Sequence, residues 1–501
     1  MEQSLHVYNS MKGEKEVFDP ITEGYVGMYV CGPTVYSDVH LGNCRTFVSF
    51  DIIYRYLLNL GFKVRYVRNI TDVGHLEGDA DTGAEDKMAK RARLEKLEPM
   101  EVAHKYTVGF HDMMRIFNTK SPSIEPRATG HIIEQIEMVQ SIIDNGYGYV
   151  KNGSVYFDTK KLVDDGKGYG DLSGRKIEDL LVETRSDLKN QSEKKHPSDF
   201  AIWIKADENH LMRWNSPWSV GFPGWHLECS AMSTKYLGKH FDIHGGGNDL
   251  KFPHHENEIA QNIGSCSCTP AKYWLHTNML LMNGKKMSKS DGNSITPTEL
   301  FTGDSVHISK AYSPMVIRFF MIQSHYRSTL DLTDDALLAA EKGFKRLMDG
   351  NRALQNLKTD ASEGAMDKEI NEMIDAAFAE MNDDFNTPKA LARLFEIVPK
   401  INSFKEGKIA MDQIGSETLN RLQHTFKVFV FDIFGLIDQM EEGGSEGIKV
   451  LDGVMNLVID IRKDARSNKD WGTADKIRDS LKAAGVQIKD GKEGAEWELL
   501  N

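Results

Sequence analysis

The sequence predicts an α/β protein, a Rossmann-like doubly wound parallel sheet that carries an insertion and is followed by an α-helical bundle and a small C-terminal domain. Three observations lead there. An apolar strand from Tyr25 to Cys31 is followed by Phe47, Phe50, Tyr54, Leu57 and Leu58 at helical spacing, then by Val64, Tyr66 and Val67. Strand, helix, strand in that order makes a right-handed parallel unit, with its ligand crevice at the strand C-termini. Beyond Thr333 the apolar spacing turns helical throughout, and the polar, glycine-rich run 441–447 then cuts off a compact tail.

The first helix ends at Gly61, which suits a left-handed cap. The first strand-to-helix turn holds neither a G-x-G-x-x-G nor a Walker loop, so a dinucleotide or P-loop site is not expected there. From about Ser121 to Trp214 the pattern changes to a helix with Ile132, Ile136, Val139 and Ile143 on one side, a short strand at Val155 to Phe157, and loops rich in Gly and Lys. That stretch reads as an insertion. The parallel sheet resumes at Phe241-Asp242-Ile243-His244 and closes with the Lys286 loop. Thr333 is expected to cap a helix marked by Leu337, Ala340, Phe344, Leu347 and Met348; Ile370, Met373, Ile374, Ala377 and Met381 mark a second, and Leu391, Leu394, Phe395 and Val398 a third. The expected boundaries are 1–120 with 215–300 for the sheet domain, 121–214 for the insertion, 301–332 for a connecting region, 333–440 for the bundle and 448–501 for the tail.

A chain of 501 residues is too long for one core, which agrees with several domains. Its formal charge of −13 argues against indiscriminate nucleic-acid binding, yet leaves room for a local basic face. From Arg462 to Lys482 there is such an excess, seven basic residues against four acidic. The start Met1-Glu2-Gln3-Ser4 has no basic stretch leading into an apolar one, and the most apolar run, Phe426 to Ile437, is broken by Lys427 and Asp432, so neither export nor a membrane span is expected. The five cysteines are too scattered for a disulfide ladder, which suits a reducing cytoplasm with thiols available to metal.

Chemistry concentrates in a few strings. His40-Leu41-Gly42-Asn43 follows the first strand, where a helix N-terminus offers N–H groups to phosphate, His40 and Asn43 add donors, and Gly42 permits close approach. Lys285-Lys286-Met287-Ser288-Lys289-Ser290-Asp291-Gly292-Asn293 is a polar loop whose ammonium groups could close on a polyphosphate. Cys31, Cys229, His254 and Glu258 are residue types that zinc takes as ligands, and His254 and Glu258 lie one helical turn apart, but neither the cysteine pair nor the helical pair alone outweighs a core or capping role. Spacing alone does not separate His254 from His255. Cys266-Ser267-Cys268 has a one-residue spacer, poor for holding one zinc ion with both sulfurs, and reads as a surface loop. Phe241 to Asp249 reads as a glycine-rich strand exit beside the crevice.

The HLGN and KMSKS strings together resemble the ATP-handling elements of class I aminoacyl-tRNA synthetases, and with the intervening ligand set the chain resembles the cysteinyl-tRNA synthetase family nearly end to end. The resemblance implies an enzyme that activates L-cysteine with Mg2+ and ATP and transfers it to the terminal adenosine of tRNA(Cys). ATP would be bound by Gly32, His40, Gly42, Asn43, Lys286, Ser288 and Lys289, with His40, Asn43, Lys286 and Lys289 serving catalysis. One Zn2+ would sit on Cys31, Cys229, His254 and Glu258. Thr71, Trp225 and His244 would line the cysteine pocket and Asp249 would pair with the substrate ammonium. The tail implies an anticodon-binding domain acting through Arg466, Trp471, Asp475 and Asp490, and residues 301–332 a region contacting the tRNA stem. A monomeric, cytoplasmic enzyme is implied. Asn43 departs from the histidine usual at the fourth position of the first string. A ligase joining activated cysteine to an amino sugar would share the zinc and ATP residues, but the tail around Trp471 argues against it. A non-catalytic RNA-binding paralogue is disfavoured by His40, Lys286 and Lys289.

Overall fold

The computed structural model describes residues 4–73, 87–175, 193–208, 210–287, 292–438, 454–455, 457–468, 470–483, 486–490 and 495–499. It divides into two compact units, Met1–Leu436 and Ile437–Asn501.

In the first unit, strand β1 (Tyr25–Val30) leads to helix α1 (Leu41–Asn59) and strand β2 (Lys63–Arg68); later come helix α2 (Trp225–Leu237), strand β3 (Phe241–Gly247), helix α3 (Glu256–Cys266) and strand β4 (Ala271–Thr277). The four strands are parallel in the order β4-β3-β1-β2. The expected doubly wound sheet is therefore present. Tyr29 stands opposite His244 and Val67, and His244 opposite Trp274, so residues far apart in sequence share one level of the sheet.

The apolar strands are buried on both faces, as a parallel sheet requires: Met28, Tyr29, Val30, Val67 and Ile243 have no solvent exposure. α1 covers one face with Phe47, Phe50, Ile53 and Leu57, while Tyr54 is half-buried and Leu58 lies at the exposed edge of the expected stripe. The run Gly245-Gly246-Gly247 is the end of β3 itself, not a loop beyond the strand. A Cβ on Gly245 would fall 2.2 Å from the Phe50 ring, and one on Gly246 3.0 Å from the His255 ring, so the glycines let α1 and the following helical turn press against the strand.

The insertion holds its own antiparallel sheet, built from Gly148–Lys151, Ser154–Phe157, Phe200–Lys205, Val220–Pro223 and Trp214–Asn215 in that spatial order. Val220–Pro223 pairs with Phe200–Lys205, so this sheet takes in residues beyond the expected boundary at 214. Helix Ile132–Asp144 buries Ile132, Gln135, Met138, Val139 and Ile142; Ile136 and Ile143 sit half-buried at the edge, because the buried stripe is rotated from the one the sequence marks.

The bundle comprises Asp334–Gln355, Asp367–Asn382, Thr387–Lys405 and Ser416–Lys427. Thr333 caps the first of these, its hydroxyl accepting the Ala336 N–H at 3.1 Å. Leu337, Ala340, Phe344, Leu347, Met348, Ile370, Ile374, Leu391, Leu394 and Val398 are all buried. In the second unit residues 457–467 are helical, followed by helix Trp471–Ala483 and an antiparallel pair, Val486–Asp490 with Ala495–Leu499. The expected linker 441–447 lies outside the described residues. No described helix is long and apolar enough to cross a membrane.

Candidate active site and metal centre

Cys31 continues β1, its N–H donating to the Gly245 carbonyl at 3.0 Å; Cys229 sits in the first turns of α2, and His254 and Glu258 lie on the helical stretch that opens α3. All four are buried. Their ligand atoms lie within 4.8 Å of one another. The Cys31 and Cys229 sulfurs are 3.6 Å apart, Cys31 Sγ is 3.6 Å from Glu258 Oε1, and His254 Nε2 is 3.2 Å from the same oxygen. A tetrahedral zinc with bonds of about 2.0–2.3 Å separates its ligands by about 3.3–3.8 Å, so these donors fit such an ion.

A second set also converges, because the ligand atoms of Cys31, His244, His255 and Glu258 likewise lie within 4.8 Å of each other. His255 Nε2 is 3.3 Å from Cys31 Sγ but 4.0 Å from Glu258 Oε1, and its Nδ1 lies 2.9 Å from His276 Nε2. His254 Nδ1 lies 2.9 Å from His226 Nδ1. With the proton of that pair on His254, its Nε2 lone pair faces the thiols and the carboxylate, the arrangement a metal-bound imidazole needs.

Burial pushes the Cys31 and Cys229 thiols and the Glu258 carboxyl up, because a pocket this dry penalises each anion. A divalent cation reverses that preference, since it binds the deprotonated forms. The surrounding histidines are driven the other way: burial pulls His226, His244 and His276 down to about 3, leaving them neutral and able to share single protons.

Among the residues expected in the amino acid pocket, His244 places Nε2 2.8 Å from Glu258 Oε2 and stacks on Trp274 at 4.5 Å. Trp225 opens α2 and sets its ring 4.4 Å from that of His254. Thr71 is buried just beyond β2. Asp249 is exposed in the turn after β3. Sequence reasoning missed Asn69. Its Oδ1 accepts the Gly32 N–H at 2.8 Å and faces Cys229 Sγ at 3.7 Å, and its Nδ2 donates to Thr71 Oγ1 at 3.0 Å. One side chain thus joins the ends of β1 and β2 beneath a thiol. Gly32 allows it, since a Cβ there would lie 1.6 Å from the Asn69 carbonyl oxygen.

His40 is the N-cap of α1. Its Nδ1 accepts the Asn43 N–H at 3.3 Å, while Asn43 Oδ1 accepts the His40 N–H at 3.4 Å, a reciprocal capping box. That geometry puts the ring proton on Nε2 and turns the Asn43 amide nitrogen away from the cap. A Cβ on Gly42 would approach the His40 ring to 3.0 Å, a local reason for glycine beside any need to admit a nucleotide. Lys286 is exposed in the short strand Lys285–Lys286, which pairs with Leu280–Met282. Ser288 and Lys289 lie outside the described residues.

In the second unit Trp471 is 58 % exposed, Arg466 and Asp475 are exposed, and Asp475 pairs with Arg478 at 3.0 Å. Asp490 ends the strand Val486–Asp490. Cys266, which ends α3, and Cys268 are joined by a disulfide across Ser267 (φ 56°), a pairing the reading of that string as a surface loop did not anticipate; Cys31, Cys44 and Cys229 are free thiols.

A parallel sheet with a capped histidine string at its first helix, joined to a lysine-rich string that follows its last strand in sequence, is the arrangement of a class I aminoacyl-tRNA synthetase. Residues 17–342 match the family of class I (C) tRNA synthetase catalytic domains, 378–438 the DALR domain, and 451–497 the cysteinyl-tRNA ligase anticodon binding domain. The chain is 53 % identical over 502 residues to cysteine–tRNA ligase of Bacteroides thetaiotaomicron, covering all of both chains, and 46 % identical over 500 residues to that of Deinococcus radiodurans, covering 99 % of this chain and 96 % of the other. It belongs to the cysteine–tRNA ligase family. Among solved structures, Mycobacterium tuberculosis methionyl-tRNA synthetase in complex with methionyl-adenylate shares the fold, with a TM-score of 0.60 at 12 % identity over 82 % of this chain and 92 % of that one.

Proposed function

We propose that this chain is a cysteine–tRNA ligase that selects its amino acid through a bound zinc ion. The observation that carries the reading is the buried convergence of Cys31, Cys229, His254 and Glu258 beside the crevice of a class I sheet. Of the two overlapping sets, this one offers two sulfurs and a histidine 3.2 Å from the Glu258 oxygen, whereas His255 stands 4.0 Å from it; each histidine has another behind it, so the bracing does not separate them. Cysteine and serine differ by one atom, and an apolar pocket separates near-isosteres by only about 1–3 kcal/mol. Zinc bound here would take the substrate sulfur directly, a contact the serine hydroxyl cannot match.

The remaining roles fall to the chain's own groups. Asp249 pairs with the substrate ammonium, while Thr71, Trp225 and His244 shape the pocket. The cysteine carboxylate attacks the α-phosphate of Mg-ATP, cysteinyl-adenylate forms and pyrophosphate leaves. Gly32 and Gly42 admit the nucleotide, His40 and Asn43 donate to it from the N-terminus of α1, and Lys286, Ser288 and Lys289 attend the departing pyrophosphate. The terminal adenosine hydroxyl of tRNA(Cys), the 2′-hydroxyl as class membership implies, then takes the cysteinyl group and AMP leaves. Region 301–332 contacts the tRNA stem. Arg466, Trp471, Asp475 and Asp490 read the anticodon, Trp471 by stacking and the charged groups at base edges and phosphate. The enzyme acts as a monomer in the cytoplasm.

Cysteine-dependent ATP–pyrophosphate exchange, followed by charging of transcribed tRNA(Cys), tests the reading. A chain ended at Gly444 should keep the exchange and lose most charging, because stacking on Trp471 alone contributes about 1–3 kcal/mol. Full-strength charging by that truncated chain would remove the tail from recognition. Asn43→His should change ATP use by no more than about tenfold, since a neutral hydrogen bond is worth about 0.5–1.5 kcal/mol. Loss of exchange in that variant would show that the Asn43 half of the capping box is indispensable.

A further inference from the structure

Arg45 lies two positions after Asn43 on α1 and is 1 % exposed. Its guanidinium meets four backbone carbonyls. Nη1 donates to Asn278 O at 3.1 Å and Met279 O at 2.6 Å, and Nη2 donates to His325 O at 3.3 Å and to Ser328 O. Among the described residues it pairs with no carboxylate, and burial pulls its pKa down to about 10.

Those carbonyls mark one place in the chain. Residues 278–279 follow the end of β4, where the backbone leaves the parallel sheet, and residues 325–328 are where it returns before strand Leu330–Leu332. The two passes are stitched side by side: Asn278 N–H donates to Tyr326 O at 2.8 Å, the Asn278 side chain donates to Arg327 O at 2.9 Å, and Leu330 N–H donates to Met279 O at 3.2 Å. In sequence the stretch between the two passes carries Lys286 and the rest of the lysine string; within it helix Pro314–Ile322 has an anchor of its own, Arg318 pairing with Asp51 of α1, so this junction is the tie nearest to Lys286 on the side of β4. Thr46, next to Arg45, adds a 2.9 Å contact between its hydroxyl and that of Thr277.

A buried cation is a costly way to satisfy carbonyls that strand or turn hydrogen bonds could satisfy without a charge, while an apolar side chain here would take the donors from all four. What the planar, five-donor guanidinium offers instead is a fixed spatial relation between several acceptors at once. We propose that Arg45 is a positioning residue for adenylate formation, fixing the first turns of α1, with His40 and Asn43, against the backbone junction that leads from β4 towards Lys286 and Lys289. This rests on the assignment of those residues to ATP under the proposed function.

The test is Arg45→Lys in the full-length, zinc-loaded chain. Lysine keeps the charge but is a point donor that cannot span four carbonyls. The expected result is a fall of about tenfold or more in the single-turnover rate of adenylate formation at saturating ATP and cysteine, with the cysteine Kd within about twofold of the parent. In a Lys289→Ala background the same substitution should cost less than about threefold, because the contribution it positions has already gone. Thr46→Val strips a contact from the same junction without stranding a charge, and covers the case in which Arg45→Lys does not fold. It should show a smaller loss in the same step, again largely absent beside Lys289→Ala. Unchanged adenylation, losses that add fully to those of Lys289→Ala, or equal losses in cysteine binding and adenylation would each overturn the proposal. Lys289→Ala alone, if it leaves adenylation intact, overturns the loop assignment instead, so the two failures are distinguishable.

Discussion

Cys229→Ser is expected to abolish stoichiometric zinc and, with it, most of the preference for cysteine over serine. The parent chain should carry about one zinc per molecule by elemental analysis, as the four-donor set demands. Serine at 229 replaces a soft thiolate by an alcohol that is hardly ever ionised, in a pocket whose dryness already opposes anions. Its hydroxyl still faces Asn69, so the packing between the ends of β1 and β2 should survive and the loss should be one of metal, not of fold. Discrimination measured by exchange should fall to what an apolar pocket supplies, about 10–200-fold. His255→Asn separates the two overlapping ligand sets: zinc should persist in it if His254 is the ligand and vanish if His255 is. A metal-free parent that still prefers cysteine would remove zinc from the mechanism altogether.

The sheet and the ligand set were legible in the sequence for different reasons. Strand β1, helix α1 and strand β2 announce themselves by a continuous apolar run that gives way to a 3.6-residue spacing and by Gly61, all local properties. Cys31, Cys229, His254 and Glu258 were found through family resemblance, since no spacing rule joins positions contributed by a strand end and two separate helices. What stayed illegible is what depends on tertiary approach. Asn69, His226 and His276 are ordinary polar residues until folding sets them behind Cys229, His254 and His255. The triple glycine of β3 read as the exit from a strand because glycine is scarce inside strands; the approach of Phe50 and His255 explains why it continues the strand. Helix Ile132–Asp144 is rich enough in isoleucine that two stripes compete, and packing, not periodicity, buried the one containing Met138 and Ile142. Arg45 would pass for a solvated arginine on a helix. Its burial among four carbonyls is visible only once residues 278–279 and 325–328 are brought to the same place.

Lys289→Ala should depress adenylate formation by about 10²–10³-fold while leaving the cysteine Kd within about threefold, the pattern of an interaction made mainly in the transition state. Negative charge grows on the bridging oxygen as pyrophosphate departs, and an ammonium group brought to it by a loop is worth most at that moment, when water has been displaced. Cysteine binding, by contrast, is assigned to Asp249 and to the buried set around Glu258, on strands and helices that do not include the loop. Lys286 offers an internal comparison because strand pairing with Leu281 fixes its backbone. Lys286→Ala should therefore weaken ATP binding as well as the chemical step, whereas Lys289→Ala should act on the step alone. Stopped-flow or quench-flow adenylation at saturating substrates, alongside equilibrium binding of each, separates these effects. A normal chemical step with a large rise in the cysteine Kd would detach the loop from ATP and leave His40 and Asn43 as the nucleotide-facing groups.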